Sequence, residues 1–137
     1  MLPLEGCRVL DLTRFAPGPL ATRILADLGM DIIKVEDMEW RGGRQRDILT
    51  PADQSPRVQR RWAAYNSLAR NKKSIALNLK KREAQQAFHR LVKKADVVIE
   101  AFRPGVVKTL GIDYTTVSQI NQRIIYVSMS GYGQQGP

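Results

Sequence analysis

Five stretches of this 137-residue chain combine glycine, proline and cationic side chains in the way that a pyrophosphate is usually held: residues 13–19, 36–46, 79–80, 101–105 and 130–137. Glycine and proline allow close backbone approach, helix starts offer unpaired amides, and arginine or lysine supplies charge. The run Ala16-Pro17-Gly18-Pro19 is neither the G-x-G-x-x-G fingerprint nor the G-x-x-x-x-G-K-[ST] loop, so the ligand class rests on composition and position. Side chains for acid–base or nucleophilic chemistry are sparse. The single histidine, His89, sits between Phe88 and Arg90 in a predicted helix and reads as a surface or boundary residue. Asp11, Asp27, Asp31 and Asp96 fall at strand ends or caps with no paired base, and Cys7 reads as a small packing residue. No catalytic residue is assigned within the chain.

These stretches matter because of the elements that must carry them. Residues 8–12 read as a strand buried on both faces. Pro17 and Pro19 open a helix in which Leu20, Ile24, Leu25 and Leu28 recur at helical spacing and Gly29 stands at the C-terminal cap. A second strand over residues 31–35 completes a right-handed βαβ unit. Residues 37–64, with Gly42-Gly43, Pro51 and Pro56, lack sustained periodicity and read as a long functional loop or a locally helical excursion rather than compact sheet. Residues 74–79 alternate as a third strand, and residues 81–94 form an amphipathic helix with Ala84, Ala87, Phe88, Leu91 and Val92 on one stripe. A fourth strand covers 96–100, short helices cover 106–110 and 114–121 with Asp113 as N-cap, and a fifth strand covers 124–129. The alternation predicts an α/β fold, a mainly parallel sheet with helices on both faces. Ligands of such sheets bind outside the carboxyl ends of the strands, where all five stretches emerge.

Composition sets the bounds. The length fits one domain with a real core, and 43% hydrophobic with 26% charged residues is ordinary for a globular protein. No apolar run approaches the roughly 20 residues of a membrane span, and no secretory leader is visible, so a membrane partner is not expected. One cysteine excludes an internal disulfide and fits a reducing, cytoplasmic setting. The net charge of +9 favours an anionic partner. Nucleic acid is not expected, because the cations are scattered and no reader helix or zinc spacing accompanies them. Lys80-Lys81-Arg82 opens a helix against the macrodipole and so calls for a reason, whereas solvent exposure alone would explain Arg57, Arg60 and Arg61.

The order of the pieces resembles one family, the class III coenzyme A transferases of the CaiB/BaiF type, which includes formyl-CoA transferase, carnitine CoA-transferase and the α-methylacyl-CoA racemases. The resemblance is carried by residues 4–13, Ala16-Pro17-Gly18-Pro19, Leu25-Ala26-Asp27-Leu28-Gly29, Ile33-Lys34-Val35-Glu36, and residues 71–80, 95–105 and 130–137, in family order and spacing. It implies that residues 1–137 are the incomplete N-terminal, Rossmann-like, coenzyme A-binding domain of a longer polypeptide. It places Ala16 and Pro17 beside the coenzyme in the first loop, Leu77, Asn78, Leu79 and Lys80 along it after the third strand, and Ala101, Phe102 and Arg103 against it after the fourth. Lys80 and Arg103 suit that role as cations at strand ends, and Phe102 offers a ring on which adenine could stack. Core packing accounts equally well for Phe102, and better for Leu77 and Leu79. Three positions depart from the family pattern: Asp37 stands where some members place an arginine, Ala101 where many have asparagine, and Thr109 where an arginine is common. Arg41, Arg44 and Arg46 are the nearest substitutes.

The resemblance further implies acyl-CoA and carboxylic acid substrates, no metal, and an interlocked homodimer. The nucleophile would be an aspartate following the Tyr132 to Pro137 loop, which attacks the acyl-CoA carbonyl and proceeds through a mixed anhydride to an aspartyl-CoA thioester. In racemase members a His/Asp pair exchanges the α-proton instead. A third reading is a non-catalytic coenzyme or nucleotide-binding module. Its support is Glu36, 18 residues after Gly18 and near the ribose-binding acid of dinucleotide folds.

Overall fold

The computed structural model describes residues 1–14, 16–37 and 67–135, together with residues 60 and 63. Most of the expected 37–64 loop, including Arg41, Arg44, Arg46, Arg57 and Arg61, lies outside the described residues. Within them, β1 (Arg8–Leu12), β2 (Asp31–Glu36), β3 (Lys73–Ala76), β4 (Val97–Glu100) and β5 (Ile125–Ser128) form one sheet in the order β3-β2-β1-β4-β5. Every pairing is parallel, with Leu10 opposite Ile33 on one side and Val98 on the other. The helices are α1 (Pro17–Asp27), α2 (Arg82–Val92), α3 (Val106–Thr109) and α4 (Tyr114–Ile120). The expected α/β fold is therefore the observed one.

Strand periodicity of two splits the core into two layers. Leu10, Leu12, Val35 and Val98 pack with Phe88 and Val92 of α2 and Val117 of α4, whereas Val9, Ile32 and Ile99 pack with Ala26 of α1. Phe88 is wholly buried, and a side chain of that kind contributes about 1.5–3 kcal/mol by burial. Local signals set the boundaries as expected. Asp113 caps α4 by accepting from the Thr116 amide at 3.2 Å and hydroxyl at 2.7 Å. Gly29 follows α1 with φ of +105°, a conformation that L side chains rarely adopt.

Helical spacing left the inward face of α1 open, and the structure sets it: Leu20, Ile24 and Leu28 are exposed, Leu25 packs on the core, and Gly18, Pro19, Thr22 and Ala26 are buried. Beneath α1 the sheet presents the Asp11 carboxylate, so small and hydroxyl side chains face inward. The third strand ends at Ala76 rather than residue 79, because Asn78 turns the chain: its side chain accepts from the Lys80 amide at 3.1 Å and its carbonyl from the Lys81 amide at 2.9 Å. His89 is structural, with Nε2 2.8 Å from the Gly111 carbonyl, and Cys7 is free and half-buried.

Candidate functional site

Sequence order reverses between β1 and β4: β1, β2 and β3 run outward to one edge, β4 and β5 to the other. Chain segments leaving the carboxyl ends of β1 and β4 part at that point and leave a crevice. A cavity of about 650 Å³ opens there, walled by Pro17 and Gly18 at the start of α1, residues 101–104 after β4, and residues 129–135 after β5. Among the described residues that line it, only Arg103 carries a formal charge.

Each wall has an identifiable local cause. The Asp11 side chain, at 0% exposure, accepts from the Thr13 amide at 2.9 Å and the Thr13 hydroxyl at 2.5 Å, which turns the chain as it leaves β1. Thr13 then lies against Gly18, where an added Cβ would collide with the Thr13 side chain, so glycine is required for that approach. Prolines at 17 and 19 have no N–H, and the Leu20 amide bonds the Ala16 carbonyl at 3.0 Å. After β4, buried Glu100 accepts from the Phe102 amide at 2.7 Å and folds residues 101–104 back over the strand end. The Arg14 guanidinium stacks on the Phe102 ring at 5.4 Å from its centroid and pairs with Asp37 at 3.6 Å. Burial pushes Arg14 down from its ordinary pKa, opposed by the charge of Asp37 and a hydrogen bond to it. After β5, the Met129 amide bonds the Glu100 carbonyl at 2.9 Å, tying the third wall to the second.

The sequence-derived site residues fall in two groups. Pro17, Ala101, Phe102 and Arg103 meet at the cavity, with exposed Ala16 immediately before it as the N-cap of α1. Leu77, Asn78, Leu79 and Lys80 follow β3 and do not line it: Leu79 is in the core, Leu77 packs against it, Asn78 makes the turn, and Lys80 is exposed. Sequence reasoning missed Arg14, Glu100 and Gly18. Asp37, read as a lost cation, is instead the carboxylate partner of Arg14.

The carboxylates singled out from sequence are all engaged. Asp27 pairs with Arg70 at 2.5 Å, Asp31 with Arg8 at 2.8 Å and Lys73 at 2.7 Å, and Asp96 accepts from the Arg8 amide at 2.8 Å. Among the described residues no group of three His, Cys, Asp or Glu could hold a metal, and no helix is long and apolar enough to cross a membrane.

A doubly wound parallel sheet with a ligand-sized crevice at its switch point defines a class of α/β proteins, and comparison with known proteins narrows it. The family model for CoA-transferase family III matches residues 4–137, and the chain belongs to that family. It is 42% identical over 135 residues to the human succinyl-CoA:glutarate CoA-transferase, covering 98% of this chain and 30% of that protein. It is also 42% identical to the acetyl-CoA:oxalate CoA-transferase of Acetobacter aceti, covering 98% of this chain and 33% of that one. The crystal structure of Rv3272 from Mycobacterium tuberculosis superposes with a TM-score of 0.83 at 39% identity, over 100% of this chain and 36% of that one. The chain thus spans about a third of the length of these relatives.

Proposed function

We propose that residues 1–137 supply the coenzyme A-binding part of a CoA-transferase, one that moves CoA from an acyl-CoA donor to a carboxylic acid. The observation that carries this reading is the switch-point cavity, in which the loop after β1, the Phe102-Arg103 turn and the glycine-rich segment after β5 converge. Arg103 supplies a cation for phosphate, and Phe102, in contact with the Arg14 guanidinium, supplies an aromatic face. The other described lining residues are neutral, which suits the uncharged arm that carries the thioester.

By family resemblance the nucleophile of an aspartyl-CoA pathway is assigned to an aspartate outside these 137 residues, in a polypeptide that works as a homodimer. Glutarate and oxalate, named for two relatives, are the first acceptors to try. Titration calorimetry of coenzyme A into the chain tests the binding reading. Saturable one-to-one binding is expected; absence of heat at millimolar coenzyme would overturn it.

A further inference from the structure

One group of buried ionic side chains is not used by the cavity directly. Lys72 lies just before β3, and its side chain is 1% exposed. Its ammonium donates to the Pro19 carbonyl at 2.8 Å, the Thr22 hydroxyl at 2.7 Å and the Asp11 carboxylate at 3.3 Å. Thr22 donates in turn to Asp11 at 2.5 Å. Three segments far apart in sequence meet on one nitrogen: the end of β1, the first two turns of α1 and the approach to β3. Burial pushes Lys72 below its ordinary pKa, Asp11 opposes that, and the charges of Lys34 and Arg23 add to it.

Such a buried pair is a poor way to gain stability alone, because desolvation offsets most of the attraction and an apolar pair of equal volume would serve as well. What it supplies is geometry. α1 has no side-chain cap and no acidic residue in its first turn; within the helix the turn that bears Pro17 and Gly18 is held by the Leu20 amide on the Ala16 carbonyl at 3.0 Å and by the Thr22 hydroxyl, 3.2 Å from the Gly18 carbonyl, and the rest of its hold comes from other segments. The Pro19 carbonyl, one residue beyond Gly18, is fixed by Lys72, and Asp11 holds Thr13 against Gly18 from the other side.

We propose that Lys72 is a positioning residue for the coenzyme site, setting from the opposite end of the β2–β3 connection the turn of α1 that forms one wall of the cavity. This rests on the reading that the cavity takes coenzyme A. The two consequences separate in one experiment. Coenzyme A is titrated into the full chain as wild type, Lys72→Met, Thr22→Val and Asp31→Asn, with urea midpoints measured in parallel. Thr22→Val keeps shape while removing the hydroxyl that bridges Lys72 and Asp11 and lies 3.2 Å from the Gly18 carbonyl, and so loosens the same network if Lys72→Met does not fold. Asp31→Asn breaks the Arg8 and Lys73 pairs at the amino ends of β1 to β3, away from the cavity, and serves as a purely structural loss.

Lys72→Met and Thr22→Val should weaken coenzyme binding by roughly tenfold or more, the scale of effect expected when a binding wall is misplaced, while Asp31→Asn leaves affinity within about twofold. Wild-type affinity in a folded Lys72→Met protein, or in Thr22→Val where Lys72→Met does not fold, overturns the positioning role and leaves the coenzyme site standing. Equal weakening in all variants also overturns it, since affinity would then follow stability. Failure of the wild type to bind overturns both.

Discussion

Replacing Asp11 with asparagine should cost far more than an ordinary surface substitution. The carboxylate is wholly buried and accepts four hydrogen bonds, from the Thr13 amide and hydroxyl, the Thr22 hydroxyl and the Lys72 ammonium. An amide can keep some of these, but not the charge that holds Lys72 protonated with its side chain 1% exposed. Leaving one member of a buried pair uncompensated costs about 3–5 kcal/mol, a large share of the roughly 5–15 kcal/mol that holds a domain together. Lys72 can escape part of that by losing its proton, toward which burial already pushes it. Lys72→Met should cost less, because Asp11 keeps its three hydroxyl and amide donors. The double variant should be more stable than the sum of the single losses. Urea unfolding at neutral pH reads all three, as a lower midpoint at unchanged slope. An Asp11→Asn loss below about 1 kcal/mol, or losses that add to within about 0.5 kcal/mol, would refute this reasoning.

Arg103→Ala should weaken coenzyme A binding by about 1–3 kcal/mol, the range for a charge-assisted hydrogen bond, whereas Lys80→Ala, outside the cavity, should leave calorimetric affinity nearly unchanged; unchanged affinity in Arg103→Ala counts against its assignment. Stability should fall as pH drops below about 4, because Asp31 and Asp113 have lowered pKa values in the folded chain. For Asp31 the chief cause is the hydrogen bond from Lys73, with burial opposing; for Asp113 burial opposes, and bonds from the Thr116 hydroxyl and amide outweigh it. The unfolded chain then takes up protons before the folded one does, so the stability present above that pH is lost on acidification, and Asp31→Asn or Asp113→Asn should flatten the fall seen in pH-dependent urea titrations. Residues 1–137 by themselves should transfer no CoA from succinyl- or acetyl-CoA to glutarate or oxalate; turnover abolished by replacing one of Asp11, Asp27, Asp31 or Asp96 would place a nucleophile among them.

What the sequence made legible was what is local. Asp113 three residues before Thr116, Gly29 after a helical repeat, and the apolar runs of β1 and β4 each carry their own signal within a few residues. The face of α1 was not local. Two helical series were available, Leu20-Ile24-Leu28 and Gly18-Thr22-Ala26, and the polar patch below, set by Asp11 on the neighbouring strand, decides which faces inward. Asp11 itself held a clue: a carboxylate inside a strand read as buried on both faces requires a buried partner. That partner is Lys72, 61 residues away, which no spacing rule reaches. Arg14 and Asp37 meet because each follows one of the neighbouring parallel strands β1 and β2, an arrangement that becomes visible only with their pairing. Of the site, the segments after β1 and β4 were readable from glycine, proline and cation content. Turning of residues 77–80 away from the cavity follows from the early end of β3.

The most direct test is a map of amide chemical shifts as coenzyme A is added to the isotopically labelled chain. Saturable shifts are expected at Gly18, Ala101, Phe102, Arg103, Gly131 and Tyr132, around the carboxyl ends of β1, β4 and β5, with little change at Arg8, Asp31 and Asp96 at the opposite end of the sheet. Saturable shifts centred on that opposite end, or none at all, would contradict a coenzyme site at the switch point.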